Sequence, residues 1–276
     1  MFRSVPVRTV KSILRNAPLR LLVLLLALPA FTRAANAQTD CNTGSDVLDT
    51  AEPKGITPAE LIQKFTANET KVEKLRDQYT HTEDLLVQTL TGNSVDGQFH
   101  RITQVSYDEK GKRRENVTYA EQSTLRGVTL SATDEDDIRQ FMPWILTTDE
   151  ASQYNLTYAG RQHQDDLDTY VFHVEPKRID KNKRYFQGRV WIDDRDLELV
   201  KLCGKSAPEI IPKKHQPADV RPTFVGYREY IDGNWLPAYA KVDDTLNLGT
   251  DSIHLREIVK LTGYKRNPGT NAGSAR

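Results

Sequence analysis

Residues 184–202, RYFQGRVWIDDRDLELVKL, alternate apolar and polar side chains on both sides of an acidic turn. A period of two sends successive side chains to opposite faces of a strand. Read as a hairpin with a two-residue turn at Asp194 and Arg195, the stretch sets Ile192 against Leu197 and Val190 against Leu199 on one face. The other face carries Trp191 beside Glu198 and Arg189 beside Val200. One continuously apolar face cannot stay in water, so a hairpin of this kind demands further strands and a cover.

The same period recurs along the chain. Before the hairpin it runs through YTHTEDLLVQTLTG, GQFHRITQVSYDEKGKRRENVTYAEQ and RGVTLSA, then NLTYAGRQ and TYVFHVEPK; after it come TFVGYREYI, WLPAYAKVDDTL and SIHLREIVKLTGY. Turn chemistry separates them at Asp165-Asp166 and at Asp232-Gly233-Asn234. Nine or ten such strands predict a mainly β chain with a large, curved, mainly antiparallel sheet and one wet face. The long Pro-rich, basic connection 205–221 is expected to be a surface loop.

Two helices interrupt this pattern. TPAELIQKF starts with a strong signal: Thr57 as N-cap, Pro58 at the first helical position and Glu60 completing a capping box. Ile62, Phe65, Val72, Leu75 and Tyr79 then fall along one face, with charged residues opposite. TDEDDIRQFMPWIL, residues 133–146, is expected to be a second helix with Thr133 as N-cap, acids in its first turn and Pro143 ending it.

The first 37 residues have the order of a secretory signal peptide. A basic stretch without acids leads into LLVLLLALPAF, and Ala35-Asn36-Ala37 supplies small-x-small before Gln38, so cleavage is expected between Ala37 and Gln38. An uncleaved N-terminal anchor is the alternative. The full chain holds 38 basic and 38 acidic residues, and removing 1–37 takes six basic residues and no acid. The remaining 32 against 38 give a net of −6, which argues against general electrostatic affinity for nucleic acid. After an arm at 38–56, residues 57–266 read as one domain, and 267–276 as a tail of disordered composition. The only two cysteines, Cys41 and Cys203, make one disulfide the simplest expectation in an oxidising compartment; two separate thiols are the alternative.

Sequence signatures of catalysis are not found. The six histidines show no metal-ligand spacing. Cys203-Gly204-Lys205-Ser206 lacks the glycine a phosphate loop needs, since Leu199 stands there. GNSVDG has the wrong spacing for a nucleophile elbow. No catalytic residue, metal or cofactor is expected.

The order helix, TYVFHVEPK, FQGRVWIDDRDLELVKLCG, YREYIDGNWLP and REIVKLTGY resembles the LolA-type periplasmic carriers, the outer-membrane lipoprotein-sorting proteins and the lipid-binding domain of RseB/MucB-type regulators. The resemblance spans about residues 56–265 and is carried most specifically by V-W-I-D-x-x-D-L-x-x-V-K and the G-x-W-L-P strand. It implies a half-open β-barrel covered by helices, whose apolar interior holds acyl chains of a lipid or acylated lipoprotein. Val190, Ile192, Leu197 and Leu199 would line that interior, with Ile62, Phe65 and Leu75 on the lid. The implied role is a carrier in lipoprotein sorting or lipid transport that meets a membrane exporter or acceptor protein. A binding or sensor module acting on a membrane partner stays open beside it, as does, more distantly, a hydrolase. The same apolar residues also suit a closed, dry core.

Overall fold

The computed structural model describes residues 38–180, 182–209, 221–247 and 252–267. The segment expected to be a signal peptide, most of the basic connection and the end of the tail lie outside the described residues.

Helix α1 (Pro58–Arg76) leads into strands β1 (Tyr79–Thr91), β2 (Ser94–Tyr107) and β3 (Arg113–Ala120). Helices α2 (Ala132–Phe141) and α3 (Thr148–Ala151) follow. Then come β4 (Tyr154–Gln164), β5 (Leu167–Pro176), β6 (Tyr185–Asp193), β7 (Leu199–Ala207), β8 (Phe224–Ile231), β9 (Asn234–Asn247) and β10 (Ser252–Arg266). All ten strands form one antiparallel sheet in the order β3-β2-β1-β10-β9-β8-β7-β6-β5-β4. Because β1 pairs with β10, two runs of hairpins join into one surface with β3 and β4 as edges. An open sheet this wide must coil, and its inner face is the one the helices cover.

Local chemistry explains the helix starts. The Thr57 side chain accepts from the Glu60 N–H while the Glu60 carboxylate accepts from the Thr57 N–H at 2.8 Å, the reciprocal pairing of a capping box. For α2 the cap is Ser131 rather than Thr133. Ser131 and Asp134 form the capping box there, because the serine stands three residues before an acid that can reach back. Residues 126–132, expected as a strand, have no sheet partner. Leu125, Val128 and Leu130 instead pack against the core from a loop tied to β2 through Thr124 and Gln98. Tyr79 is not on α1, which ends at Arg76, but opens β1.

The β6–β7 hairpin keeps the expected inner residues and changes their register. The Asp193 N–H donates to the Glu198 carbonyl at 2.9 Å, which leaves a four-residue loop, 194–197, inside which the Asp193 carboxylate accepts from the backbone N–H of Arg195 and of Asp196, at 3.1 and 2.8 Å. Leu197 closes the loop at φ 54°. Ile192 therefore faces Leu199 and Val190 faces Leu202, with a bulge at which Trp191 faces Lys201. The bulge turns both Val200 and Lys201 to the outer face, where plain alternation would send one of them inward. Beyond Gly204, β7 continues to Ala207, so the start of the expected surface loop is strand.

The outer face is not simply wet. Val171, Trp191, Val200, Cys203 and Val225 form a second apolar cluster there, joined by Cys41 and Leu48. Its cover is the N-terminal arm, which pairs Ser45 with Gln164 and Asp49 with Arg161 across β4. A Cβ at Gly160 would lie 2.2 Å from the Asp49 carbonyl oxygen, so the arm's approach requires glycine there. Cys41 and Cys203 are disulfide-bonded with Cα atoms 5.5 Å apart. Lys201 lies between arm and sheet. Its ammonium donates to the Thr43 carbonyl at 2.8 Å and to Gln164 Oε1 at 2.6 Å, and stands 4.6 Å from the Trp191 ring centre. Burial lowers its pKa to about 8.

The bridge spans 162 residues, and in the chain-entropy model its loss costs roughly 2–5 kcal/mol. Cys41→Ser is expected to lose stability in that range in urea unfolding and to shift Trp191 emission to the red, with Trp191→Phe identifying the contribution. Unchanged emission would show that the arm stays docked without the bridge.

Candidate functional site

The inner face of the sheet is the candidate site. Phe172 and Val174 from β5, Phe186, Val190 and Ile192 from β6, and Leu199 and Leu202 from β7 form one apolar floor. It continues through Ala240 and Val242 of β9, Val259 and Leu261 of β10, and Leu85 and Val87 of β1. Alternation along each strand puts these residues on one side. Leu61 and Phe65 of α1, Phe141 of α2, and Met142, Trp144 and Leu146 of the following segment descend onto this floor. Phe65 meets Phe172 with ring centres 5.3 Å apart, and Trp144 stacks on Phe186 at 4.4 Å.

Of the residues expected to meet acyl chains, Phe65, Val190, Ile192 and Leu199 are fully buried in this one cluster. Ile62 and Leu197 are partly buried against its margin. Leu75 is not with them; it packs on a separate group of Val72, Tyr79, Ile145 and Leu236. The helices therefore close over the floor, and an acyl chain reaches Val190 or Ile192 only if they move. Two surface pockets, of about 310 and 560 Å³, lie along the arm and hold none of these residues.

The cover is fastened by polar groups. Glu69 follows Phe65 by one turn, in the middle of the buried stripe of α1, and is 0% exposed. Its two carboxylate oxygens accept from both terminal nitrogens of Arg228 on β8, each at 2.7 Å. Arg228 also donates to the Trp144 carbonyl at 3.1 Å, and the Leu146 N–H donates to Glu69 at 3.3 Å. One bidentate pair thus joins α1, β8 and the segment after α2. Beside it, the Asn68 amide donates to the carbonyls of Asp196 and Leu197 at 3.0 and 3.1 Å, and the Thr148 N–H donates to the Thr70 hydroxyl at 3.1 Å.

Glu69 and Arg228 were not foreseen from the sequence. The signal for Glu69 was present: Leu61, Phe65, Glu69 and Val72 recur at helical spacing, and a charge in that series is out of place on a buried face.

Toward the C-terminal end of α1 the inner face becomes polar. His81 of β1 is buried, stacks on Tyr264 of β10 at 5.1 Å, and has no partner for either ring nitrogen among the described residues. Burial, then the nearby charges of Arg113 and Arg76, lower its pKa to about 4. Glu83, next along the same face, accepts from Arg113 of β3 at 2.9 Å. Arg76, in the last turn of α1, lies 5.7 Å from the centre of the Tyr107 ring. Glu150 of α3 is pushed up to about 7, chiefly by burial.

No protein-family model and no curated protein matches the chain. Among solved structures it is similar to a DUF1329 family protein from Desulfovibrio piger, at 13% identity and TM-score 0.41 over 75% of this chain and 94% of that one. It is similar at the same identity to a LolA superfamily protein from Nitrosomonas europaea, with TM-score 0.39 over 74% of this chain and 94% of that one. A third likeness, at 12% identity and TM-score 0.37, is to a putative outer membrane lipoprotein-sorting protein domain from Vibrio parahaemolyticus, over 75% of this chain and 94% of that one.

Proposed function

We propose that the protein is an exported carrier that shields the acyl chains of a lipid or acylated lipoprotein on the inner face of its sheet, in lipoprotein sorting or lipid transport. Cargo would pass to or from a membrane exporter or acceptor protein. The reading is carried by one observation: the cover over an almost wholly apolar floor is fastened by a buried ion pair, Glu69 with Arg228. Apolar residues of equal volume at those two positions would hold a permanent core at least as well. A bidentate charge pair instead gives a join with a defined closed geometry that can be parted when water or another polar group meets both partners.

The energies are of matching size. Each apolar side chain of the cover gains roughly 1.5–3 kcal/mol from its burial, so without a ligand the closed cover is the dominant state and the open one a minor state. An acyl chain gains about 0.8 kcal/mol per buried CH₂, hence roughly 10 kcal/mol for a twelve-carbon chain. Such a chain can replace the contacts that Leu61, Phe65 and Trp144 give up. The cover is also built of pieces that do not hold together alone: α2 has 10 residues and α3 has four, below the length at which helices are stable in water.

Native mass spectrometry of the protein recovered from its own compartment should therefore show a bound lipid. Titration of lipid-free protein with a fatty acid should also change Trp144 emission, because the stack on Phe186 lies at the join. Protein that is bare as isolated and silent on titration would contradict the proposal. Arg228→Met leaves Glu69 buried without its counter-charge, and should cost about 3–5 kcal/mol in urea unfolding. Glu69→Leu combined with Arg228→Met should recover most of that loss, yet take up a fluorescent fatty acid more slowly than the wild type. Uptake at the wild-type rate by the stable double variant would remove the ion pair from the opening step.

A further inference from the structure

The polar end of the inner face carries more hydrogen-bond donors than acceptors. The Nε atoms of Arg76 and of Arg228 are buried and lack partners among the described residues, as do both ring nitrogens of His81. Arginine stays protonated in proteins, so each Nε carries a hydrogen, and a neutral imidazole carries one. These groups gather around one ring. His81 stacks on Tyr264, and the charges of Arg76 and Arg228 both act on the Tyr264 phenol, which burial raises well above its ordinary value. The Tyr264 hydroxyl is engaged with the Pro237 carbonyl at 2.6 Å.

The nearby acids do not supply the missing acceptors. Glu69 meets the two terminal nitrogens of Arg228 and not its Nε, Asp77 meets a terminal nitrogen of Arg76 at 3.3 Å and not its Nε, and Glu83 is paired with Arg113. Three buried donors thus remain unsatisfied among the described residues, next to an apolar floor. Leaving such groups unpaired is costly, and the fragment that would satisfy them is rich in acceptor oxygens and has no hydrogen to donate.

We infer that, with the cover open, His81, Arg76 and Arg228 around Tyr264 form a headgroup site for an acidic amphiphile, one whose carboxylate or phosphate takes these donors while its chain lies on the floor of Val190, Ile192 and Leu199. This rests on the acyl-chain reading above and names the ligand class for it. Oxygen anions accept several hydrogen bonds at once, and charge-assisted bonds are the stronger kind.

The test compares dodecanoic acid, dodecyl phosphate and dodecanol on the lipid-free mature protein by calorimetry. At least one of the two acidic ligands should bind on the order of tenfold tighter than the alcohol, the scale of one charge-assisted hydrogen bond. Which of the two is preferred assigns the head as carboxylate or phosphate. In His81→Phe, which keeps the stack on Tyr264, and in Arg76→Met, that preference should fall to about twofold with dodecanol affinity retained. The wild-type protein gives a reading independent of the variants: the His81 ring nitrogen resonances should move with the acid and not with the alcohol. Acetate and inorganic phosphate, which carry the heads without a chain, should not compete. Equal affinity for acids and alcohol would overturn the headgroup site and leave the acyl-chain reading standing. So would a preference that survives both substitutions with unmoved His81 resonances, or effective competition by acetate or phosphate. Failure of all three amphiphiles to bind would overturn both.

Discussion

Glu69 and Arg228 sit 159 residues apart in the chain and meet in a region that is otherwise apolar. Neither charge could be buried alone, since the desolvation cost of an unpaired ion in the interior is several kcal/mol. Each is therefore placed by the other, and the closed position of α1 follows. With α1 in place, Phe65 reaches Phe172 and the Trp144 carbonyl is held where its ring stacks on Phe186. The pair adds little net stability compared with apolar packing. What it adds is register, fixing one seating of a helix whose apolar stripe could otherwise slide on a smooth floor.

The opposite face shows the same economy of polar groups. A ten-stranded sheet with apolar residues on both sides needs two covers. The inner one is helical and held by hydrogen bonds and an ion pair; the outer one is an extended arm held by a disulfide and by Lys201. That contrast fits a division of labour in which one cover is permanent and the other opens. The bulge at Val200 and Lys201 is what lets the outer cover work, because it delivers the ammonium to the carbonyl of Thr43.

Much of this was legible in the sequence where the determinant is local. The Thr57 capping box, most of the strand periods and the turn at Asp232-Gly233-Asn234 each depend on neighbouring residues and were found where expected. That Val190, Ile192 and Leu199 share one apolar face was also legible, since it needs only the period; that this face is the inner one was implied by the resemblance. What was missed depends on distant partners or on competition between local options. Inside the four-residue turn the Asp193 side chain captures two backbone N–H groups, and any acid-rich turn offers several such captures. Residues 126–132 have a strand's period, but the chain just before them is bonded to β2 through Thr124 and Gln98 and their apolar side chains pack on the core, so they fold down as a loop. Glu69 looked like a solvated residue until Arg228 arrived from β8. Leu75 shares a helix with Phe65 but faces a different cluster, because the stripe drifts around the helix by the time it reaches the last turn.

The central claim is that α1 is a movable cover and not part of a permanent core. Hydrogen exchange of the amides in α1 tests it most directly, because exchange there reports opening against the sheet. The account predicts that, without ligand, amides around Leu61, Phe65 and Val72 exchange faster than those of β6 and β7. It further predicts that adding a fatty acid slows them while the strands stay unchanged. Protection of α1 equal to that of the strands, and indifferent to ligand, would contradict it.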